Sequence, residues 1–204
     1  MMRITRIEPV TKTKYRVSVD EQFAFVVYKG ELSRFHLKEE CELTEDTYAK
    51  IKEVLLKRAK LRAMHLLNDM ARTESQLRDK LKLCGYPSEI TEAAVAYVKS
   101  FGYINDDAYI RNFIDSRKDK KSRREIYALL RQKGVDMNRA EEIMEEMYEV
   151  HSDQEAIREL FRKKHWDFAC TDPKEKQKIY GYLVRKGFRY EDIRQVIQVC
   201  DWNA

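Results

Sequence analysis

Positively charged side chains crowd one short stretch near the middle of the chain, where together they could bind an anion. Residues 117–133 contain eight lysines and arginines against two acids, Asp119 and Glu125. The cations are Arg117, Lys118, Lys120, Lys121, Arg123, Arg124, Arg131 and Lys133. A run of like charges is often only the solvated face of a helix, and that interpretation stays open. The other interpretation is a surface for phosphates or for an acidic protein face.

The position of four of these cations favours binding. Residues 120, 121, 123 and 124 surround Ser122, the expected cap of a helix. A positive charge there lies at the positive end of the helix macrodipole and destabilises the helix by about 0.3–1 kcal/mol. The two equivalent helix starts carry acids instead, Glu74 in one and Asp172 with Glu175 in the other. Of the three helix starts, the one at Ser122 carries cations where helix stability favours acids. This exception indicates a binding site, formed by free backbone N–H groups and basic side chains. Replacing Arg123 and Arg124 by Glu should therefore leave the fold intact and weaken binding.

Other residues that could contact nucleic acid are scattered along the chain. The secondary basic positions are Arg72, Arg162, Lys163, Lys164 and Arg185. They would share a surface if helical units stacked into a curved array; alternatively, each favours the C-terminus of its own helix. Four tyrosines could stack on bases, but their helical spacing favours the edges of cores. These are Tyr103, Tyr109, Tyr127 and Tyr182.

Residue types that perform catalysis or hold metals are present without the spacing that such sites need. Asp106 and Asp107 follow Asn105, and the group is better explained as a helix cap with a carboxylate-rich first turn. His165 and Cys170 lack the further ligands of a zinc site. The chain has no Gly-rich phosphate loop and no nucleophile motif. We expect no enzymatic activity, no metal and no cofactor.

Three stretches share one pattern of helix start, apolar stripe and glycine stop. Thr73–Tyr86 and Ser122–Val135 match at a constant offset of 49 positions, and Asp172–Phe188 is a third copy. Such self-similarity predicts a tandem helical repeat. The expected equivalent positions are Gly85, Gly134 and Gly187 in the turns and Leu81, Leu130 and Leu183 in the cores.

The start of the chain alternates between apolar and polar residues rather than showing helical periodicity. Tyr15–Val19 and Phe23–Val27 predict a hairpin, with Arg3–Pro9 as a third strand and β structure confined to roughly the first 30 residues. So small a sheet should pack on the helices that follow or else offer a surface to a partner. After Thr44 the spacing becomes helical, and one long helix or two would both fit.

Composition describes a highly charged chain whose excess charge is modest. Hydrophobic residues make up 43% and charged residues 37%, with a net charge of +5, so a nucleic-acid interpretation depends on where the charges lie. The four cysteines stand far apart and the N-terminus carries no apolar signal region, from which we expect reduced thiols in the cytoplasm. The longest apolar run, Phe23–Tyr28, is far shorter than the ~18–20 residues of a membrane helix.

Several motifs occur in the order and spacing of one known family. They are Ala63 with Leu67, Arg72–Leu77, Lys80-Leu81, Gly85-Tyr86, Phe101–Asp106, Leu130–Val135 and Tyr182–Phe188. On these motifs the chain from about Ala59 to Phe188 resembles the RecX family of recombination regulators. The resemblance implies an all-α fold of three tandem three-helix repeats in an elongated curved array, preceded by a small β segment. The expected boundaries are 1–43 for the β extension and 44–104, 105–151 and 152–204 for the repeats.

The resemblance also implies a function. RecX proteins regulate the RecA recombinase by binding its nucleoprotein filament and lowering filament growth, ATP hydrolysis and strand exchange. The implied partners are the RecA filament and single- and double-stranded DNA, with no membrane, and we expect a monomer. The alternative is a stand-alone DNA-binding repeat protein of the helix-turn-helix type. The N-terminal extension lies outside the shared motifs and has no assigned role.

Overall fold

A computed structural model describes residues 2–148, 153–166 and 172–201, and these residues are mostly helical, as expected. The described residues form ten helices and four short strands. The chain divides into two compact units, Met1–Asn105 and Asp106–Ala204.

An antiparallel sheet opens the first unit. Its strands are β1 (Met2–Pro9), β2 (Lys14–Val19), β3 (Gln22–Tyr28) and β4 (Glu42–Leu43), in the order β3-β2-β1-β4. The β2–β3 hairpin turns at Asp20 and Glu21, whose φ angles of +48° and +64° are typical of a tight hairpin turn. The predicted hairpin and third strand are confirmed. The prediction that β structure ends near residue 30 is wrong, because β4 follows a short helix, α1 (Lys29–Arg34). Strand β4 has only two residues, too few to show an alternation of apolar and polar residues in the sequence.

The sheet packs on the helices of its own unit rather than standing apart. Val17 and Phe25 are fully buried in the same core as Leu55 and Ala59, which lie on α2 (Glu45–Asp69). Arg58 of that helix donates hydrogen bonds to the carbonyl of Val26 at 2.8 Å and to the Glu31 carboxylate at 3.0 Å. Of the two expectations for the sheet, packing is the one observed.

The first unit continues with three helices. They are α2, α3 (Glu74–Leu83) and α4 (Ser88–Ser100). Helix α2 is a single helix of 25 residues, which resolves the ambiguity after Thr44. Thr73 and Gln76 form a reciprocal capping box at the start of α3.

The second unit contains six described helices around two separate cores. The helices are α5 (Asp106–Asp115), α6 (Arg123–Gln132), α7 (Met137–Tyr148), α8 (Asp153–Lys164), α9 (Pro173–Arg185) and α10 (Tyr190–Asp201). Helices α5–α7 enclose one core around Leu130, and α8–α10 enclose another around Leu183. A three-helix group with its own core agrees with a repeat that stacks on its neighbours.

The expected repeat positions share one conformation. Gly85, Gly134 and Gly187 have φ angles of +84°, +69° and +88°, a region that favours glycine and ends helices. Leu81, Leu130 and Leu183 are each fully buried. The boundaries of the three repeats stay a prediction, and the one expected at residue 152 lies outside the described residues.

Candidate nucleic-acid interface

The start of α6 is built around the buried hydroxyl of Ser122. Its Oγ accepts a hydrogen bond from the backbone N–H of Glu125 at 3.1 Å and donates one to the carbonyl of Lys186 at 2.8 Å. That carbonyl belongs to the residue ending α9. A Cβ at Gly187 would lie only 2.8 Å from Ser122 Oγ. The cap therefore also joins α6 to the turn after α9, and that turn needs its glycine.

The backbone N–H groups at this helix start are not all available to an external anion. The N–H of Arg123 donates to Asp153 Oδ1 at 3.0 Å, and the N–H of Glu125 is taken by Ser122. The expectation of free N–H groups is therefore wrong for these two positions. Asp153, from the start of α8, places its carboxyl group at the N-terminus of α6. Its sequence separation of 30 residues hid this contact from local pattern analysis.

Asp153 is itself an unusual acid. Burial raises the pKa of its carboxyl, and the nearby charge of Asp192 raises it further. The hydrogen bond from Arg123 and the charge of Arg189 act in the opposite direction without cancelling the effect of burial. The carboxyl is thus held in an environment that disfavours its ionised form.

Four of the seven predicted primary cations already have partners within the molecule. Lys118 pairs with Asp115 at 2.8 Å, Lys121 pairs with Glu125, and Arg123 lies 3.7 Å from a carboxylate oxygen of Glu145. The guanidinium of Arg117 stacks on Phe113, 3.8 Å from the ring centroid, and donates to the Phe113 carbonyl. Using these cations for binding would disturb existing contacts.

The other three are exposed, and their side chains form no hydrogen bond or ion pair with any described residue. They are Lys120, Arg124 and Arg131, which we call the unpaired cations. Arg124 and Arg131 are seven residues apart on α6, so they lie on one helix face roughly 10 Å apart along the axis. Within the described chain, these side chains are the part of the basic stretch available to an external anion.

A cleft of about 770 Å³ lies beside the start of α6 in the second unit. Its lining carries three arginines and three acids together with Tyr127. The charged residues are Arg123, Arg124, Arg189, Glu141, Asp153 and Asp192. Because the two signs are balanced, the cleft is less suited to a polyanion than the exposed face of α6.

The secondary basic positions have mostly local roles. Arg72 Nε donates to the Leu66 carbonyl at 3.1 Å near the end of α2, and Arg162 and Lys163 pair with Glu159 at 3.1 and 3.2 Å. Lys164 lies 5.6 Å from the ring centroid of Tyr182, and Arg185 is exposed in the last turn of α9. The Arg72 contact agrees with the expectation that a cation favours the C-terminus of its own helix, and a surface shared by all five positions stays a prediction.

Acidic and aromatic candidates are used structurally, with one exception. Asp107 accepts two hydrogen bonds from Arg139, at 2.7 and 2.9 Å, which lower the pKa of its carboxyl. Tyr109 stacks on Phe113, and Tyr182 packs edge-on against Trp166. Tyr103 does not fit the expectation of a core edge, because 58% of its surface is exposed.

The described part of the chain contains neither a metal-ligand cluster nor a membrane-spanning helix. Among the described residues, no group of three His, Cys, Asp or Glu side chains is placed to hold a metal ion. Over the same residues, no helix is both long enough and apolar enough to cross a membrane.

Two family models match parts of the chain. The model described as RecX, first three-helix domain, matches residues 59–97. The model described as RecX, third three-helix domain, matches residues 152–197.

Relatives match over nearly the whole length. The chain is 33% identical over 201 residues to the regulatory protein RecX of Caldanaerobacter subterraneus subsp. tengcongensis, covering 97% of this chain and 100% of the relative. It is 27% identical over 208 residues to the regulatory protein RecX of Clostridium botulinum strain Alaska E43, covering 97% and 96%.

Solved structures agree with this match. A crystal structure of regulatory protein RecX shares 25% identity at a TM-score of 0.58, covering 96% of this chain and 98% of that one. RecX from Lactobacillus salivarius, at 23% identity and a TM-score of 0.59, shares the fold over 74% of this chain. The chain contains repeated three-helix groups and aligns at 33% identity with the whole length of a RecX regulatory protein. We therefore conclude that the chain belongs to the RecX family.

Proposed function

We propose that this chain regulates homologous recombination by binding the RecA nucleoprotein filament and lowering its growth, ATP hydrolysis and strand exchange. The observation that carries the proposal is the 33% identity to a regulatory protein RecX over the whole length of that relative. The action is one of binding and needs no catalytic group or cofactor in this chain.

The unpaired cations, Lys120, Arg124 and Arg131, are the proposed contact with DNA phosphates or with an acidic filament surface. None of them has to give up an ion pair with a described residue when it binds. Each phosphate contact then gains from the release of condensed counterions without an internal cost. Arg117, Lys118, Lys121 and Arg123 add to the local positive potential while their side chains stay engaged.

The contact is tested by replacing the three unpaired cations with Glu and measuring DNA affinity across a salt titration. If all three side chains meet phosphates, the slope of log affinity against log salt should flatten by about two to three units. The variant should have nearly the same melting temperature as the parent, because surface substitutions away from buried features change stability by about 0.5 kcal/mol or less each.

A matched variant separates a local site from the overall charge. Lys12, Lys29 and Lys38 are exposed residues of the first unit, and replacing them with Glu makes the same change in net charge. This control should keep most of the parental slope, since it removes no proposed phosphate contact. An equal loss in both variants would show that net charge, and not the face of α6, governs DNA binding.

A stand-alone DNA-binding protein of the helix-turn-helix type is the second candidate. The exposed pair Arg124 and Arg131, on one face of α6, would suit a DNA backbone equally well. Such a protein would affect recombination only by competing for free DNA, so its effect would vanish once RecA occupies the strand.

A further inference from the structure

Three aromatic rings form a ladder where α4 ends in the first unit. The ring centroids of Tyr97 and Phe101 are 4.9 Å apart, and those of Phe101 and Tyr103 are 6.1 Å apart with planes only 25° from parallel. Phe101 is 60% exposed and Tyr103 58% exposed. We call these three residues the aromatic ladder. Two of its rings are therefore largely exposed to solvent.

The exposed rings contribute little to the core of the unit. The same segment buries Val98 completely and Ile104 to 95%, so these side chains supply its apolar anchoring. Phe101 and Tyr103 lie between them and are exposed. Leaving large apolar rings in water is unfavourable, and neighbouring exposed rings more often mark a binding surface than isolated ones do.

A lysine accompanies the ladder. Lys60 of α2 places its ammonium 4.3 Å from the ring centroid of Tyr97, within the range of a cation–π contact. A positive charge beside successive rings is the arrangement with which proteins hold single-stranded nucleic acid, where rings stack on bases and cations follow the phosphates.

We propose that the aromatic ladder is a base-stacking platform for single-stranded nucleic acid, with Lys60 positioned for the adjoining phosphate. The proposal deepens the DNA-binding part of the proposed function and rests on it. Bases in a duplex are already stacked on each other, so exposed aromatic rings suit unpaired bases. The unpaired cations are proposed to contact phosphates alone, whereas the ladder would supply affinity for bases.

The test compares two ligands with the same number of phosphates, an oligothymidylate and an abasic strand of equal length, bound to the full chain at one salt concentration. The parent should bind the oligothymidylate more tightly. Replacing Phe101 and Tyr103 with Ala should lower that affinity by roughly five- to a hundredfold for each base that stacks. Affinity for the abasic strand should not change. Tyr190→Ala, which removes a ring 61% exposed in the second unit, should leave the preference for bases intact.

A second variant covers the case in which the alanine variant fails to fold. Phe101→Trp keeps a ring at this position, so the preference for the oligothymidylate should persist. Its indole fluorescence should respond to the oligothymidylate and not to the abasic strand, because stacking requires a base. Equal affinity of the parent for the two strands, or a preference that survives loss of both rings, would overturn the proposal.

The outcomes also separate this site from the wider function. Replacing the unpaired cations with Glu should lower the affinity for the oligothymidylate and for the abasic strand by the same factor. The ratio of the two affinities should therefore stay unchanged. A ladder variant that binds oligothymidylate normally but no longer binds the RecA filament would assign the rings to a protein contact and refute base stacking. A parent with no effect on RecA but a clear preference for bases would contradict the regulatory function and retain the ladder.

Discussion

At the scale of single residues, Ser122 links two parts of the second unit through one hydroxyl. The side chain is fully buried, and its two hydrogen bonds satisfy the Glu125 N–H and the Lys186 carbonyl. The cap itself was predictable, because hydroxyl residues cap helices through nearby backbone groups. Its second partner, 64 residues away, was not, because no local pattern encodes a contact at that separation.

Ser122→Ala should lower the free energy of unfolding by about 1–3 kcal/mol, since it removes the cap and leaves the part-buried Lys186 carbonyl without its donor. Asp172→Ala is the matched change, because it removes an exposed cap in the same unit. Chemical denaturation of both variants checks the prediction. Equal losses would show that the bond to Lys186 adds nothing beyond capping.

Asp153 should give the second unit a pH dependence of known sign. Because its pKa is raised in the folded chain, the native state binds more protons than the unfolded chain at pH values between the two pKa values. The stability from this group is complete at low pH and declines as pH rises from the ordinary aspartate pKa through the raised one. Asp153→Asn keeps an oxygen acceptor for the Arg123 N–H and removes the charge.

The Asp153→Asn variant should therefore be at least as stable as the parent at neutral pH, and the difference should shrink on acidification. Melting curves of both proteins over a pH series measure this, with Asp172→Asn, at an exposed cap, as the control. A variant that is markedly less stable than the parent at neutral pH would mean that the carboxylate charge stabilises this fold.

At the scale of elements, the glycine turns combine a local requirement with a packing requirement. The left-handed φ angle at each helix end was predictable from a glycine after an apolar stripe. The close packing against each turn depends on the tertiary fold. A Cβ on Gly85 would lie 2.4 Å from Cγ2 of Val26 in β3, whereas a Cβ on Gly102 would have no heavy atom within 4 Å. Strand β4 is likewise set by tertiary pairing, with β1.

The two glycines offer a comparison within one unit. Gly102→Ala should cost about 1 kcal/mol from its positive φ alone, while Gly85→Ala should cost a further 1–3 kcal/mol from overpacking against Val26. Equilibrium unfolding of the first unit within the full chain distinguishes the cost of the positive φ angle from the cost of overpacking. Similar costs for the two variants would show that the sheet yields to the added methyl group without penalty.

At the scale of the whole molecule, the basic stretch was predictable as a location but not as a binding surface. Seven cations between residues 117 and 131 were predicted from the sequence to bind, yet the fold engages four of them in internal contacts. The partner of Arg123 comes from α7, so its pairing depends on how helices pack. The prediction that Arg123→Glu leaves the fold intact changes accordingly, because the new carboxylate would face Glu145, with Asp153 close by.

The proposed regulatory function requires that the chain act on the RecA filament itself. The direct measurement is ATP hydrolysis by RecA already assembled on single-stranded DNA, titrated with the chain from well below one molecule per RecA. Hydrolysis should fall at substoichiometric ratios, and Glu at Lys120, Arg124 and Arg131 should weaken the effect. The contrary result is inhibition that appears only when the chain is added before RecA and that excess free DNA abolishes. It would contradict regulation through the RecA filament and identify a plain DNA-binding protein.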